Sequence, residues 1–311
     1  MIIIPKPDIS EGQMVTQTSL FNPVEQYSLG LPIEPYSRQL LKWIGNKQKF
    51  AFEILSYFPR KFNCYYEPFV GSGGVLATLA PQRGVASDIF KPLVDLWLMV
   101  KNEPDVVVKY WRQAFDGLCN GNKAEAYAFY QRKFNKSPNG LDLLVLSRSC
   151  YGGVVRFRKN DGGMSTPCGV HKPMDPESFA LRAREWHERI ENTDFYHCDF
   201  EKTMEMAGEG DIVYCDPPYL DSQSILYGAQ EFSFERLVGA ILSAKLRGAL
   251  VALSIDGTKK SGDKLLSIPY STNVFEREVF VNCGRSMLRR FQMSGQSLES
   301  EEVSDRLLLT W

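Results

Sequence analysis

The sequence predicts an α/β protein: a doubly wound, mostly parallel sheet with an antiparallel closing strand, interrupted by an inserted segment of helices and a β-hairpin. Three observations carry that expectation. Short apolar runs recur around Tyr65, Val85, Phe195, Ile212 and Leu250, with stretches of helical period between them, which is the alternation of a parallel sheet. The first run passes through a glycine-rich turn straight into a helix, as ligand-cradling turns of such sheets do. Near the end, Val274 to Val281 and Arg306 to Trp311 read as two closing strands.

The bulk properties fit a folded domain and narrow its business. With 311 residues, 44% hydrophobic and 23% charged, the chain can bury a large core in one large domain or two ordinary ones. A net charge of −1 argues against a protein whose only role is to coat nucleic acid, so any such contact must use local patches. The cysteines at 64, 119, 150, 168, 198, 215 and 283 include no C-x-x-C pair and read as reduced thiols. Histidines stand only at 171, 187 and 197, without the helical spacing of metal ligands, so no metal is expected. No apolar stretch approaches the ~18 residues that span a bilayer, and the first residues lack the layout of a signal peptide. An intracellular protein with no membrane partner is expected.

Residues 1–37, with prolines at 5, 7, 23, 32 and 35, read as an irregular arm. Lys42-Trp43-Ile44-Gly45-Asn46-Lys47 then precedes a helix with Phe50, Ile54, Leu55 and Phe58 on one face, stopped by Pro59. Trp43 and Lys47 are either an anchor and a solvated charge or a platform for an aromatic ring or cation. In Glu67-Pro68-Phe69-Val70-Gly71-Ser72-Gly73-Gly74 a strand enters the glycine turn, where glycine permits positive φ and close approach of a ligand. The third glycine of the dinucleotide fingerprint is missing and no Lys-Ser/Thr follows, which disfavours dinucleotides and triphosphates. Asp88 ends the next strand, the usual place of a carboxylate that binds ribose hydroxyls, although a helix cap would look the same.

From 101 to 175 the period changes. Trp111, Phe115, Tyr127, Tyr130 and Phe134 recur among charges at helical intervals, the pattern of a small helical insert. Alternation around Val154 to Arg158, closed by Asn160-Asp161-Gly162-Gly163, predicts a β-hairpin. Between 148 and 172 five basic residues (148, 156, 158, 159, 172) face one acid, Asp161, a local charge of +4. Basic and aromatic residues interleaved on a hairpin suit DNA grooves, and charge on a solvated hairpin edge is the plainer alternative. Thereafter Asp199 ends another short strand, as a contact to a nucleoside amino group or as a helix cap. The predicted loop 220–233 follows the corner described next, and Arg285, Arg289 and Arg290 form a basic cluster between the closing strands.

Ile212-Val213-Tyr214-Cys215 leads into Asp216-Pro217-Pro218-Tyr219. Paired prolines end a strand because they cannot continue its ladder, which leaves a rigid corner carrying a carboxylate, a proline carbonyl and a phenol. Two acceptors beside an aromatic face suit a planar amino group on a heterocycle. An ordinary Asp-Pro turn is the alternative for the tetrapeptide alone.

In this order the motifs resemble the Dam-type (D12 class) DNA adenine-N6 methyltransferases, over about 42–311. The resemblance implies a Rossmann-like class I methyltransferase domain at 38–100 and 176–311, with a DNA target-recognition insert at 101–175. It implies S-adenosylmethionine as cofactor, S-adenosylhomocysteine as product, double-stranded DNA as partner, and a monomer or weak dimer. Carried over by position, Asp216, Pro217, Pro218 and Tyr219 form the catalytic corner. Trp43, Lys47, Glu67, Phe69, Gly71, Gly73, Asp88 and Asp199 bind the cofactor. Lys42, Arg148, Tyr151, Val154, Arg156, Arg158 and Pro167 contact DNA. Gly152 stands where the family has Asn, and Val170-His171 replaces an Arg-Tyr pair, so the target sequence need not be GATC. The expected chemistry is base flipping followed by direct transfer to adenine N6, with Cys215 left as strand core. Cytosine N4, an RNA base or a glutamine amide would offer the corner a similar amino group, and an inactive DNA-binding module is the rival of another class. Restriction-modification, replication marking and phage self-defence all use this chemistry.

Overall fold

A computed structural model describes residues 31, 33–158, 160–218, 232–255, 274–282 and 304–311. The arm up to residue 30, Lys159, Tyr219, the loop 220–231, Cys283 and the cluster Arg285, Arg289 and Arg290 lie outside the described residues. Seven strands form one sheet: β1 (Tyr65–Glu67), β2 (Gly84–Asp88), β3 (Thr193–His197), β4 (Ile212–Cys215), β5 (Leu250–Ile255), β6 (Arg277–Asn282) and β7 (Ser304–Leu309). Their spatial order is β3-β2-β1-β4-β5-β7-β6. Pairings among β1 to β5 are parallel, and β7 runs antiparallel to both β5 and β6. This is the mostly parallel sheet with an antiparallel closing strand that the sequence predicts.

From β1 the chain winds outward through β2 and β3, then returns to place β4 on the other side of β1. The order therefore reverses between β1 and β4, and the crevice outside their carboxyl ends is where an open α/β sheet binds its ligand. Helices α1 (Ala51–Ser56), α2 (Gly74–Leu79), α3 (Lys91–Asn102), α4 (Pro104–Asn120), α5 (Lys123–Lys136), α6 (Gly140–Ser149), α7 (Pro176–Ile190), α8 (Phe200–Glu205) and α9 (Phe234–Leu246) are the described α-helices, and a 3-10 turn spans Tyr151–Gly153. Alternate strand residues feed two cores. Tyr65, Tyr214, Ala252 and Leu307 pack with Leu76, Leu93, Trp97 and Trp186, while Tyr66, Val213, Val251 and Leu308 pack with Met204, Leu237 and Ile241. That split is the period-2 alternation of strands covered on both faces.

The segment predicted as an insert contributes α4, α5 and α6, and its large residues enter the first of those cores. Trp111, Phe134 and Leu143 to Leu146 belong to the same cluster as Trp97 and Trp186. Trp97 stacks on Trp186 at 5.0 Å and Trp111 on Phe179 at 4.8 Å. Each large apolar side chain so buried contributes about 1.5–3 kcal/mol. Asn122 and Asn139 cap α5 and α6 by accepting from backbone N–H groups, satisfying donors that would otherwise lack partners.

The predicted hairpin forms as a ladder without regular strands. Its bridges are Phe157 with Met164 and Cys150 with Cys168, and Arg158 and Gly163 close the turn through a backbone bond of 2.9 Å. Phe157 fastens it to the body, lying 5.3 Å from the Phe90 ring. No helix among the described residues is long and apolar enough to cross a membrane.

Candidate active site

Glycine at 71 is required by a positive φ of 46°, and Gly73 follows at 63°. The turn is clamped at both backbone groups of Gly71. Its N–H donates to Asp88 Oδ2 at 3.1 Å, and its carbonyl accepts from Trp97 Nε1 at 3.0 Å. Trp43 lies over the turn, with Cδ1 3.6 Å from where a Cβ on Gly71 would stand, and stacks on Phe90 at 6.1 Å. Gly74 is fixed by proximity: a Cβ there would meet the Gln48 backbone nitrogen at 2.8 Å and Asn46 Oδ1 at 2.9 Å. The segment before α1 therefore presses directly on the start of α2.

Asp88 ends β2 and accepts from Gly71 N–H and, through Oδ1, from Phe90 N–H at 2.9 Å. Burial pushes its carboxyl up to about 6, against the pull of those two donors. Glu67 at the end of β1 is 3% exposed and accepts from the Tyr65 hydroxyl at 2.6 Å. Burial raises it to about 8, the Tyr65 bond opposes that rise, and the nearby Asp216 charge adds to it. Phe69 stacks on Phe200 at 5.1 Å and meets Phe232 at 6.0 Å, an apolar wall beside the turn.

Asp199 caps α8, accepting from Glu201 N–H at 3.0 Å. It is also paired with Arg236 at 3.0 Å, and Glu201 meets the same guanidinium at 2.6 Å. The capping alternative is thus realised, with a salt bridge from α9 added to it.

On the neighbouring strand, Asp216 follows β4 and accepts from the Lys47 ammonium at 2.8 Å. Lys47 is 6% exposed and also lies 3.4 Å from Asp305 at the start of β7. Burial by itself would push the ammonium down, but Asp216 and Asp305 outweigh it and hold Lys47 above the ordinary lysine range. Pro217 is buried and Pro218 half-buried, while Tyr219 falls outside the described residues.

The structure thus brings Trp43, Lys47, Glu67, Gly71, Gly73, Asp88 and the Asp216 corner to the carboxyl edge of β1, β2 and β4. Three partners escaped the sequence reading. Asp305 carries no local motif, although an acid just before a terminal apolar run is a weak sign. Trp97 reads as core, and its one polar atom is what reaches Gly71. Arg236 has no signal in its own helix.

The residues expected on DNA divide. Arg148 points inward, donating to the Leu40 carbonyl at 2.7 Å and the Gln39 carbonyl at 3.2 Å, with its guanidinium 5.6 Å from the Trp111 ring. Burial, together with Arg182, lowers it to about 10. Val154 offers its carbonyl to the Thr166 hydroxyl at 2.7 Å. Arg158 is exposed but bound twice to Asp161 at 2.8 Å. Tyr151, Arg156 and Pro167 are exposed on the hairpin, and Lys42 is exposed near Gln39. The +4 segment consequently presents fewer open charges than its composition suggests.

Compared with known proteins, residues 43–267 match the family described as D12 class N6 adenine-specific DNA methyltransferase. A DNA adenine methylase of Haemophilus influenzae is 30% identical over 78% of this chain and 82% of its own. That of Escherichia coli K12 is 30% identical over 75% of this chain and 95% of its own. A solved rRNA methyltransferase from Streptomyces viridochromogenes aligns with 12% identity and a TM-score of 0.36, over 85% of this chain and 84% of that one.

Proposed function

Because the chain belongs to the D12 class of N6 adenine-specific DNA methyltransferases, it methylates DNA at adenine N6, and we propose that the Asp216 corner receives a flipped-out adenine. S-adenosylmethionine supplies the electrophilic methyl when bound. Trp43, the Gly71 turn, Asp88 and the Phe69 wall would hold it. Buried polar atoms without partners, Asn46 Nδ2 and both ends of the Gln48 amide, flank the same turn and fit a ligand bearing a carboxylate and an ammonium. Leaving such atoms unpaired costs about 1–3 kcal/mol each, which a bound ligand would relieve.

The observation that carries the assignment is the Lys47–Asp216 pair at the end of β4, one strand from the Gly71 turn. Adenine N6 is a poor nucleophile because its lone pair is delocalised into the ring. Its two N–H groups donate to the Asp216 carboxylate and the Pro217 carbonyl, which localises the pair towards the methyl. By its place in the family motif, Tyr219, next in sequence after Pro218, would supply the aromatic face for the extruded ring. Extrusion costs a few kcal/mol that these contacts offset. With the methyl donor bound, N6 would take up the methyl group it supplies, and Asp216 or solvent would accept the surplus N6 proton. The rate advantage comes from positioning and from electrostatics prepared in advance. Tyr151, Arg156 and Pro167 on the hairpin, with Lys42 beside it, form the face that reads duplex DNA.

The test is incorporation of labelled methyl into duplex DNA followed by nucleoside analysis. N6-methyladenine should be the product, and Asp216→Ala should abolish it at saturating DNA and cofactor. N4-methylcytosine as product, or unchanged turnover in the variant, overturns the assignment.

A further inference from the structure

Lys47 does not pair with Asp216 alone. Its ammonium, from the segment before α1, lies between a carboxylate that follows β4 and a second carboxylate on β7, at 2.8 Å and 3.4 Å. All three groups are largely enclosed, at 6% exposure for Lys47, 18% for Asp216 and 13% for Asp305. Topology explains how a residue so distant in sequence arrives there. The parallel strands bring their carboxyl ends to the crevice, whereas β7 runs the other way and brings its amino end. Arg306 sits opposite Ile255, the last residue of β5, and Asp305 lies one residue further towards the crevice.

We propose that Asp305 is a positioning residue for methyl transfer, holding the Lys47 ammonium so that it fixes the Asp216 carboxylate without consuming its charge. A lysine ammonium is a compact charge on a flexible stem, and a single carboxylate partner leaves it free to swing about that contact. A second carboxylate fixes it from another side. The charge count matters as well. Because the Lys47 ammonium is shared between two carboxylates, it does not bear on Asp216 alone, and Asp216 keeps acceptor strength for the amino group and attraction for a cationic donor. Without Asp305, more of the Lys47 charge would bear on Asp216 and weaken it as an acceptor for the amino group.

This inference rests on the proposed role of Asp216, and the experiment separates the two. Single-turnover methyl transfer to duplex DNA, affinities for S-adenosylmethionine and DNA, and melting temperature are measured for the wild type, Asp305→Asn and Asp305→Glu. Asp305→Asn should transfer about tenfold to a hundredfold more slowly, with both affinities within about threefold of wild type. Asp305→Glu should recover most of the rate, because it restores the charge. A merely structural ion pair would lower the melting temperature and leave the rate alone. Wild-type transfer by folded Asp305→Asn, or Asp305→Glu as slow as Asp305→Asn, overturns the inference. If Asp305→Asn does not fold, Asp305→Ser takes its place with the same outcomes. Absence of adenine methylation by the wild type would instead defeat the functional assignment.

Discussion

The Asp88 carboxylate accepts the Gly71 N–H at 3.1 Å, so the acid at the end of β2 fastens the glycine turn that follows β1. A residue expected to hold ribose hydroxyls also shapes the surface on which the nucleoside would lie. Asp88→Ala removes two bonds to a charged acceptor, about 1.5–3 kcal/mol each, and calorimetry should show S-adenosylmethionine affinity falling tenfold or more. In the wild type, acidification through the raised value of about 6 removes the Asp88 charge. Cofactor affinity should therefore weaken as pH falls below that point, and Asp88→Asn should flatten the dependence. Affinity that stays level from pH 7 to pH 5 in the wild type would contradict this.

Glu67 makes a prediction about stability. Its carboxyl is raised from the ordinary 4.5 to about 8, mainly by burial, so the folded chain keeps a proton that the unfolded chain releases. The resulting stabilisation is complete below 4.5 and is lost as pH rises through 8. Glu67→Gln cannot ionise and escapes that loss. Melting curves from pH 5 to pH 9 should show the wild type falling relative to Glu67→Gln, and parallel curves would refute the raised value.

Gly74 offers a steric test. A methyl group there would stand 2.8 Å from the Gln48 backbone nitrogen, and backbone cannot rotate away as a side chain can. Gly74→Ala should displace the segment carrying Lys47, at an overpacking cost of about 1–3 kcal/mol. We expect a lower melting temperature and a methyl-transfer rate reduced at saturating substrate. An alanine variant with wild-type rate and melting temperature would show that the segment gives way freely.

The two arginines at the hairpin should separate by readout. Arg148→Ala strips donors from the Gln39 and Leu40 carbonyls and leaves a gap beside Trp111, so its effect should appear in melting temperature. Arg156→Ala, on the exposed face, should leave melting unchanged and weaken binding to duplex DNA. Fluorescence anisotropy over a salt series decides its role: a slope smaller by about one marks a phosphate contact, while about 1–3 kcal/mol lost on the target site alone marks a base contact. The opposite assignment of the two effects would reverse our placement of these side chains.

The sequence by itself determined the alternation of strands and helices, the glycine turn, the acid that ends β2 and the proline corner after β4. Each is written within a few residues, because strand period, positive φ and the chemistry of proline act locally. Tertiary structure decided what those local signals do not encode. It alone set Lys47 against an acid 169 positions away and added Asp305 from β7, which runs the opposite way. It also turned Arg148 into the interior, tied Asp199 to Arg236, and spent Arg158 on Asp161. Composition counts charges, but only packing decides which partner each one faces, since a buried charge must find an opposite charge or hydrogen-bonding groups wherever the fold brings it.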